Sequence, residues 1–143
     1  MSLGDTFEND LIKLVFQATA IANLADNAGT GPLTNLELAL HTADPGEAGA
    51  QNTSEANYGG YARAVVARSS GGWDVTGGVA SNHALVAWPE CASGSSTVTY
   101  FSIGTAHTGT GKILFSGQLT QQLAISLGIT PQAAVGALTA SFD

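Results

Sequence analysis

Residues 36–41 read Leu36-Glu37-Leu38-Ala39-Leu40-His41, large apolar side chains alternating with polar or small ones. A period of two puts the three leucines on one side of an extended chain, so the segment is expected to be a strand with one buried face. Thr42-Ala43-Asp44-Pro45-Gly46 follows directly and reads as a turn, because proline restricts φ and glycine tolerates its positive values. The next stretch, Glu47 to Gly60, is polar, small and glycine-bearing, and is expected to be a surface loop. Alternation returns over Tyr61–Arg68, with Tyr61, Arg63 and Val65 on one face and Ala62, Ala64 and Val66 on the other.

Further extended pieces are expected at Trp73–Thr76, His83–Trp88, Thr97–Ile103, Lys112–Leu119, Leu123–Leu127 and Leu138–Phe142. Glycine-bearing turns at Gly71-Gly72, Gly77-Gly78, Ser93-Gly94, Gly109-Thr110-Gly111 and Gly128 separate them. Short strands punctuated in this way imply a mainly β chain, an antiparallel β-sandwich or barrel rather than alternating βαβ units. Upstream, Asp5-Thr6-Phe7-Glu8 opens a helix of about three turns, with a capping residue three positions before a glutamate. Phe7, Leu11, Leu14 and Val15 recur at helical spacing, Ile12 and Phe16 widen the apolar stripe, and Glu8, Asp10, Lys13 and Gln17 take the other face. The helical pattern fades through Ala18–Asp26 and ends in Asn27-Ala28-Gly29-Thr30-Gly31-Pro32. A length of 143 residues suits one β-domain over 1–143, with a helix and arm over 1–35 and the sandwich or barrel over 36–143.

Composition narrows the partners. Charged residues are only 10% of the chain against about a quarter in ordinary domains, while 44% are hydrophobic, so the surface is uncharged rather than disordered. Four lysines and arginines against eleven acids give a net charge of −7, too few cations to neutralise a phosphate backbone, and no nucleic-acid partner is expected. Leu11–Leu24 is interrupted by Lys13, Gln17, Thr19 and Asn23 and follows acidic residues, so neither a signal peptide nor a membrane span is expected, and no membrane partner. Cys91 stands alone and cannot close an internal disulfide. Exposed strand edges with so few lysines call for cover, which assembly into an oligomer would supply.

No motif carries chemistry. Gly104-Thr105-Ala106-His107-Thr108-Gly109-Thr110-Gly111-Lys112-Ile113 looks like a phosphate-binding loop, but the motif needs glycine where Ala106 stands and a hydroxyl residue where Ile113 stands. Its flanks read strand-turn-strand, so a glycine-rich hairpin is expected. His41, His83 and His107 have no partner at metal-ligand spacing, Asp44, Glu47 and Glu55 match no calcium loop, and no nucleophile-elbow string exists. Asn52-Thr53-Ser54 is a glycosylation sequon without a route to the modifying enzymes. The expectation is therefore no enzyme: no catalytic residue, no cofactor and no metal. Arg63 and Arg68 are half of the basic residues, and at least one is expected to pair with an acid inside the subunit or across an interface. Trp73, Trp88, Tyr58, Tyr61, Tyr100 and Phe101 are the large anchors, either core or subunit contacts.

Several strings together carry a resemblance. They are SLGDTFENDLIKLVF (2–16), LELALHTADPGEAG (36–49), YGGYARAVVARSSGGWDVTGGVASNHALVAWPE (58–90), VTYFSIGTAHTGTGKILFSGQLT (98–120) and GALTASFD (136–143). In this order the chain resembles a widespread family of small tailed-bacteriophage virion proteins, often labelled phage tail fiber protein. It departs at Phe101-Ser102-Ile103-Gly104-Thr105, where members carry Phe-Gly-Ile/Leu-Phe/Tyr-Asp, and in a polar insert between Asp26 and Asn35.

The resemblance implies a structural component of the virion, made in the host bacterial cytoplasm. The preferred role is a capsid decoration, or cement, protein that binds the major capsid protein and copies of itself as a homotrimer, many weak contacts adding up by avidity. The alternative is a tail, neck or fiber-attachment component, with host-receptor or sugar binding at a tip; a lysin-type enzyme finds no acid/base pair in the sequence. The residues expected at interfaces are Phe7, Leu11, Leu14 and Phe16 on the helix and Tyr61 and Arg63 on the strand after the loop.

Overall fold

The computed structural model describes residues 5–21 and 33–142, and of residues 5–7 the backbone alone. The turn expected at residues 27–32 and the fading helical pattern beyond Ile21 lie outside the described residues. The chain is mainly β with one N-terminal helix, α1 (Asp5–Gln17). Among the described residues nine strands follow: β1 (Asn35–His41), β2 (Ala64–Ala67), β3 (Trp73–Thr76), β4 (Val79–Asn82), β5 (Val86–Ala87), β6 (Ser95–Gly104), β7 (Ile113–Ser126), β8 (Gln132–Ala133) and β9 (Thr139–Ser141). They form open sheets of order β2-β1-β6-β7, β3-β4-β9 and β5-β8, so of the two expected architectures the barrel is not the one adopted. The described residues fall into two compact units, one drawn from Met1–Asn35, Ala67–Val86 and Ala133–Asp143, the other from Leu36–Val66 and Ala87–Gln132.

In the first unit α1 packs on β3 and β4. Ile12 and Phe16, one turn apart, are fully buried, and the Phe16 ring meets Trp73 edge-on with centroids 4.5 Å apart. Ala18 turns left-handed (φ 53°) and ends the helix. The last turn has no basic residue of its own, and Arg68 supplies one: its guanidinium donates to the carbonyls of Leu14 and Val15 at the negative end of the helix dipole. Gly77 and Gly78, both at positive φ, make the two-residue turn between Thr76 and its partner Val79. That hairpin places β4 where the sequence reading expected only punctuation, because Val79-Ala80-Ser81-Asn82 has little apolar bulk to announce a strand. Buried Asn82 donates its amide to the carbonyls of Ala84 and Ala134 and accepts from the Leu138 N–H, tying three segments together.

The second unit is built on β1. Antiparallel pairing with β6 sets Leu38 opposite Ile103 and Leu40 opposite Phe101, and these line one apolar face. Trp88 donates its indole N–H to the Leu38 carbonyl at 2.9 Å. The other face carries Glu37, Ala39 and His41 opposite Gly104, Ser102 and Tyr100. Here the structure departs from expectation, since Glu37, Ala39, His41 and Ser102 are buried as well. The cover is the segment Thr42–Gly60, expected to be a surface loop. It lies back on the polar face, pairing at His41–Glu55, Ala50–Lys112 and Gly59–Ser93, with Gln51, Ala56 and Tyr58 buried. A buried polar face needs a partner for every donor and acceptor, and this folded-back segment provides them.

Gln51 is the centre of that cover. Its side-chain amide donates to the Glu37 carbonyl at 2.9 Å and accepts from the Ala106 N–H at 3.0 Å, while its backbone N–H reaches the Gly111 carbonyl at 2.9 Å. Gly104 and Gly111 make room: a methyl group at either would overlap the Gln51 amide.

Strand limits moved for local reasons. The strand expected at Tyr61–Arg68 is shortened to β2, because Gly60 sits at φ 90° and the Tyr61 N–H closes a turn onto the Tyr58 carbonyl. Of His83–Trp88 only β5 is extended. The pieces expected at Lys112–Leu119 and Leu123–Leu127 are one strand, β7, whose ladder to β6 is interrupted between them. Gly104→Ala is expected to destabilise the protein by about 2 kcal/mol or more in urea unfolding, since it displaces a buried amide from both partners. In a Gln51→Ala background the same change should cost markedly less, and purely additive losses would contradict the contact.

Candidate interaction surfaces

The most organised polar cluster of the second unit surrounds the β6–β7 connection, Thr105–Lys112. Arg63 enters this connection from the start of β2. Its Nη1 donates to the Ala106 carbonyl and its Nη2 to the Gly109 carbonyl, both at 2.7 Å. The same guanidinium binds Glu55 in a fork, Nε to Oε1 at 2.7 Å and Nη2 to Oε2 at 2.8 Å. Tyr61 completes the set, donating its hydroxyl to Glu55 and accepting from the Leu40 N–H, both at 3.0 Å. Glu37 meets His107 Nδ1 at 3.0 Å, and Asn52 donates to the Thr110 hydroxyl at 3.2 Å. One guanidinium thus joins the covering segment, the start of β2 and the hairpin.

This geometry disposes of phosphate binding. A phosphate loop aims backbone N–H groups at the anion. Here the hairpin turns two carbonyls onto a cation and gives the Ala106 N–H to Gln51, as a structural hairpin does. A shallow recess of about 190 Å³ remains, lined by Glu55, Tyr61, Ala62, Arg63, His107, Thr108 and Gly109. Glu55, one of the three acids weighed for calcium, has both oxygens on Arg63.

Burial sets the electrostatics. The Arg63 side chain is 2% exposed and that of Glu55 17%, so the pair sits where water screens little. The hydrogen bond to Glu55 raises the Arg63 pKa above its ordinary value, against a smaller opposing effect of burial. Burial pushes the Tyr61 hydroxyl far up as well, and that of Tyr58, which donates to the Pro89 carbonyl, up to about 12. His41, beneath the covering segment, contacts the Thr53 carbonyl through Nδ1 and the Ser102 hydroxyl through Nε2, each at 2.8 Å. A carbonyl can only accept, so Nδ1 carries the proton; when the ring is neutral, as burial favours, Nε2 accepts from the Ser102 hydroxyl. Burial lowers its pKa from 6.5, with the Thr53 contact opposing.

The residues expected at interfaces fall in different places. Phe16 is fully buried inside its own unit, and Arg63 is buried in the cluster. Leu11 and Leu14 are half-buried on α1, as is Tyr61 beside the recess, and the Phe7 side chain lies outside the described residues. Trp73, Trp88, Tyr58 and Phe101 take the core alternative weighed for the aromatics. Arg63 also meets the expectation of an ion pair within the subunit.

The sequence reading missed Gln51, which no pattern marks, and found for His41 only that it lacks a partner at metal-ligand spacing. It also missed apolar residues left facing outward, among them Val65 on β2, and Leu127 and Ile129 at the turn after β7, where Leu127 is 73% exposed. That turn is held by the Ile129 N–H on the Ser126 carbonyl and by two backbone bonds with Cys91. Among the described residues no helix is long and apolar enough to cross a membrane.

Two outcomes follow from the cluster. Arg63→Met should lower unfolding free energy by about 3 kcal/mol or more, leaving Glu55 and two carbonyls unpaired, whereas an exposed pair such as His83–Asp74 should be worth under about 1 kcal/mol. The unfolded chain takes up a proton on His41 near pH 6.5 while the folded chain resists it to lower pH. The stability linked to this group is therefore complete above pH 6.5 and declines as the pH falls below it. In wild type against His41→Gln, followed by chemical unfolding between pH 7.5 and pH 5, that part of the slope should vanish in the variant; identical slopes would contradict the buried neutral ring.

Among curated proteins no relative matches the chain. A family model does, over residues 2–141, and its description is podophage GP4 fiber I protein gp80. The match takes in the helix, the covering segment, the clamped hairpin and β9, and agrees with the resemblance to small tailed-phage virion proteins read from the strings above. The chain belongs to this family of phage fiber proteins.

Proposed function

We propose that the protein is a non-catalytic subunit of the phage fiber, held in the particle by surface contacts. The observation that carries this reading is the engagement of its polar cluster. Arg63, Glu55, Tyr61 and Gln51 bind one another or the backbone, and the one carboxylate lining the recess is held by a guanidinium on both oxygens. General acid/base work needs a group free to exchange its proton with a substrate, and a neutralised carboxylate does not offer one. The recess is also smaller than the roughly 300–1,000 Å³ of ordinary ligand clefts.

What the chain turns outward suits contact instead. Leu127 and Ile129 stand on a turn fixed by three backbone hydrogen bonds, Val65 on a strand, and Leu11 and Leu14 on the half-covered side of α1. Rigidly presented apolar side chains lose little entropy on docking. The family description spans nearly the whole chain and names a fiber, which favours the fiber over the capsid shell as the location.

Quantitative mass spectrometry of washed particles, with immunogold labelling, tests the reading. Copies in the low tens with label at the tail are expected for a fiber subunit. Hundreds of copies spread over the shell would overturn it in favour of a cement protein on the major capsid protein, and absence from particles would overturn any structural role.

A further inference from the structure

The middle of the covering segment is held down almost wholly by hydrogen bonds. Over Glu47–Asn57 only Gln51 and Ala56 are buried, so little apolar area returns to water when this stretch lifts. Its ties are polar: the Ala56 N–H on the Leu40 carbonyl at 2.8 Å, the Gln51 N–H on Gly111, the Gln51 amide on Glu37 and Ala106, the Thr53 carbonyl on His41, and Glu55 on Arg63 and Tyr61. Water can replace each of them once the layer is open. The sheet underneath is secured differently. Leu38, Leu40, Phe101 and Ile103 are buried on its opposite face, and their burial does not depend on the cover.

The ends of the stretch differ from its middle. Gly46 lies at φ 70°, and a methyl group there would meet nothing within 4 Å, which suits a hinge. At the other end Tyr58 is buried, donates to the Pro89 carbonyl and meets Tyr61 edge-on at 5.3 Å, and Gly59 pairs with Ser93. The chain is anchored there. Between them Ser54 is held left-handed at φ 50°, its carbonyl accepting from the Thr42 N–H and hydroxyl. An L side chain is strained in that conformation, and lifting the stretch releases the strain. Because the ties interlock through Gln51, Thr53 and Glu55, losing one admits water to the next, and they part together.

We propose that Glu47–Asn57 is a strap that swings open as a unit about Gly46 while the sheet and the Tyr58 anchor stay in place, and that a proton on His41 favours the open form. The opening is independent of the fiber reading and is measured on isolated protein, so its failure would leave the particle count above unaffected.

The groups around His41 give the direction. Burial beneath the strap is the largest influence and opposes charge on the ring. The Thr53 carbonyl, Glu55 and Asp44 on the covering segment favour the charge less strongly, and Arg63 before β2 opposes it. β6 contributes the Ser102 hydroxyl and, opposite His41, Tyr100, while Glu37 on the same face of β1 is paired with His107. A charged ring regains water only when the strap lifts. Acid below pH 6.5 therefore shifts the strap toward opening.

Native-state hydrogen exchange of the full chain, followed peptide by peptide, tests the strap. Amides within 47–57 should open at least about tenfold more often than those of β1 and β6, with a weaker dependence on low urea because the open form exposes little surface. Equal protection and equal urea dependence would mean that the segment leaves only with the sheet, and would overturn the proposal. Ala50 bridges to Lys112, so a disulfide between Ala50→Cys and Lys112→Cys pins the strap shut. Oxidised, that variant should lose the separate opening and regain it on reduction; opening unaffected by the crosslink would overturn the swing about Gly46. Divided by the unprotected rate at each pH, opening should rise at least about threefold from pH 7.5 to pH 5.5 in wild type and stay level in His41→Gln. A parallel rise in both would overturn the role of His41.

Discussion

The buried polar face of β1 depends on the amide of Gln51. Without a partner above them, the Glu37 carbonyl and the Ala106 N–H would be dry and unpaired, a penalty of about 1–3 kcal/mol for each group. Gln51 meets both, and its own backbone N–H fastens the covering segment to Gly111. The rest of the layer follows from that fit. Once the segment is down, His41 reaches the Thr53 carbonyl and Glu55 comes within reach of Arg63 and Tyr61. Each bond keeps water from the next, so the layer is stable as a set and weak in parts.

This explains what was legible in the sequence. Period two over Leu36–His41 marked the strand and its apolar face, because alternation records which side meets hydrocarbon. It could not distinguish a polar face open to water from one covered by polar chain, since both need hydrogen-bonding residues. The composition of Thr42–Gly60 misled for the same reason: small, polar and glycine-bearing residues suit a solvated loop and an inner hydrogen-bonded layer alike. α1 was legible from its 3.6-residue period, whereas β4 and β8 were not, because Val79–Asn82 has little apolar bulk and Gln132–Ala133 pairs with β5, a partner distant in the chain. The ion pair of Arg63 was foreseen as chemistry, while its partner was not, Glu55 being one of several acids in a segment without a pattern.

The glycines of the hairpin show how a motif can mislead without being accidental. Gly111, before Lys112, stands where a nucleotide-binding loop also has glycine, because both solve the problem of bringing a polar group close to backbone. In a phosphate loop the group is an anion from outside. Here it is the chain's own amide, and the carbonyls of Ala106 and Gly109 face Arg63. The direction of the backbone dipoles, invisible in the sequence, separates the two cases.

Membership in a phage fiber family gives this internal bonding a physical sense. Bonds between segments far apart in the chain hold those segments in place better than flexible loops do. Arg63 links positions separated by eight residues toward Glu55 and by more than forty toward the hairpin, so pulling any one of the three segments loads the other two. Substituting lysine there would keep the charge and lose the fork that makes four simultaneous bonds, because an ammonium is a point donor rather than a planar array. The identity of this cation, more than the sign of its charge, makes the hairpin a fixed part of the sheet.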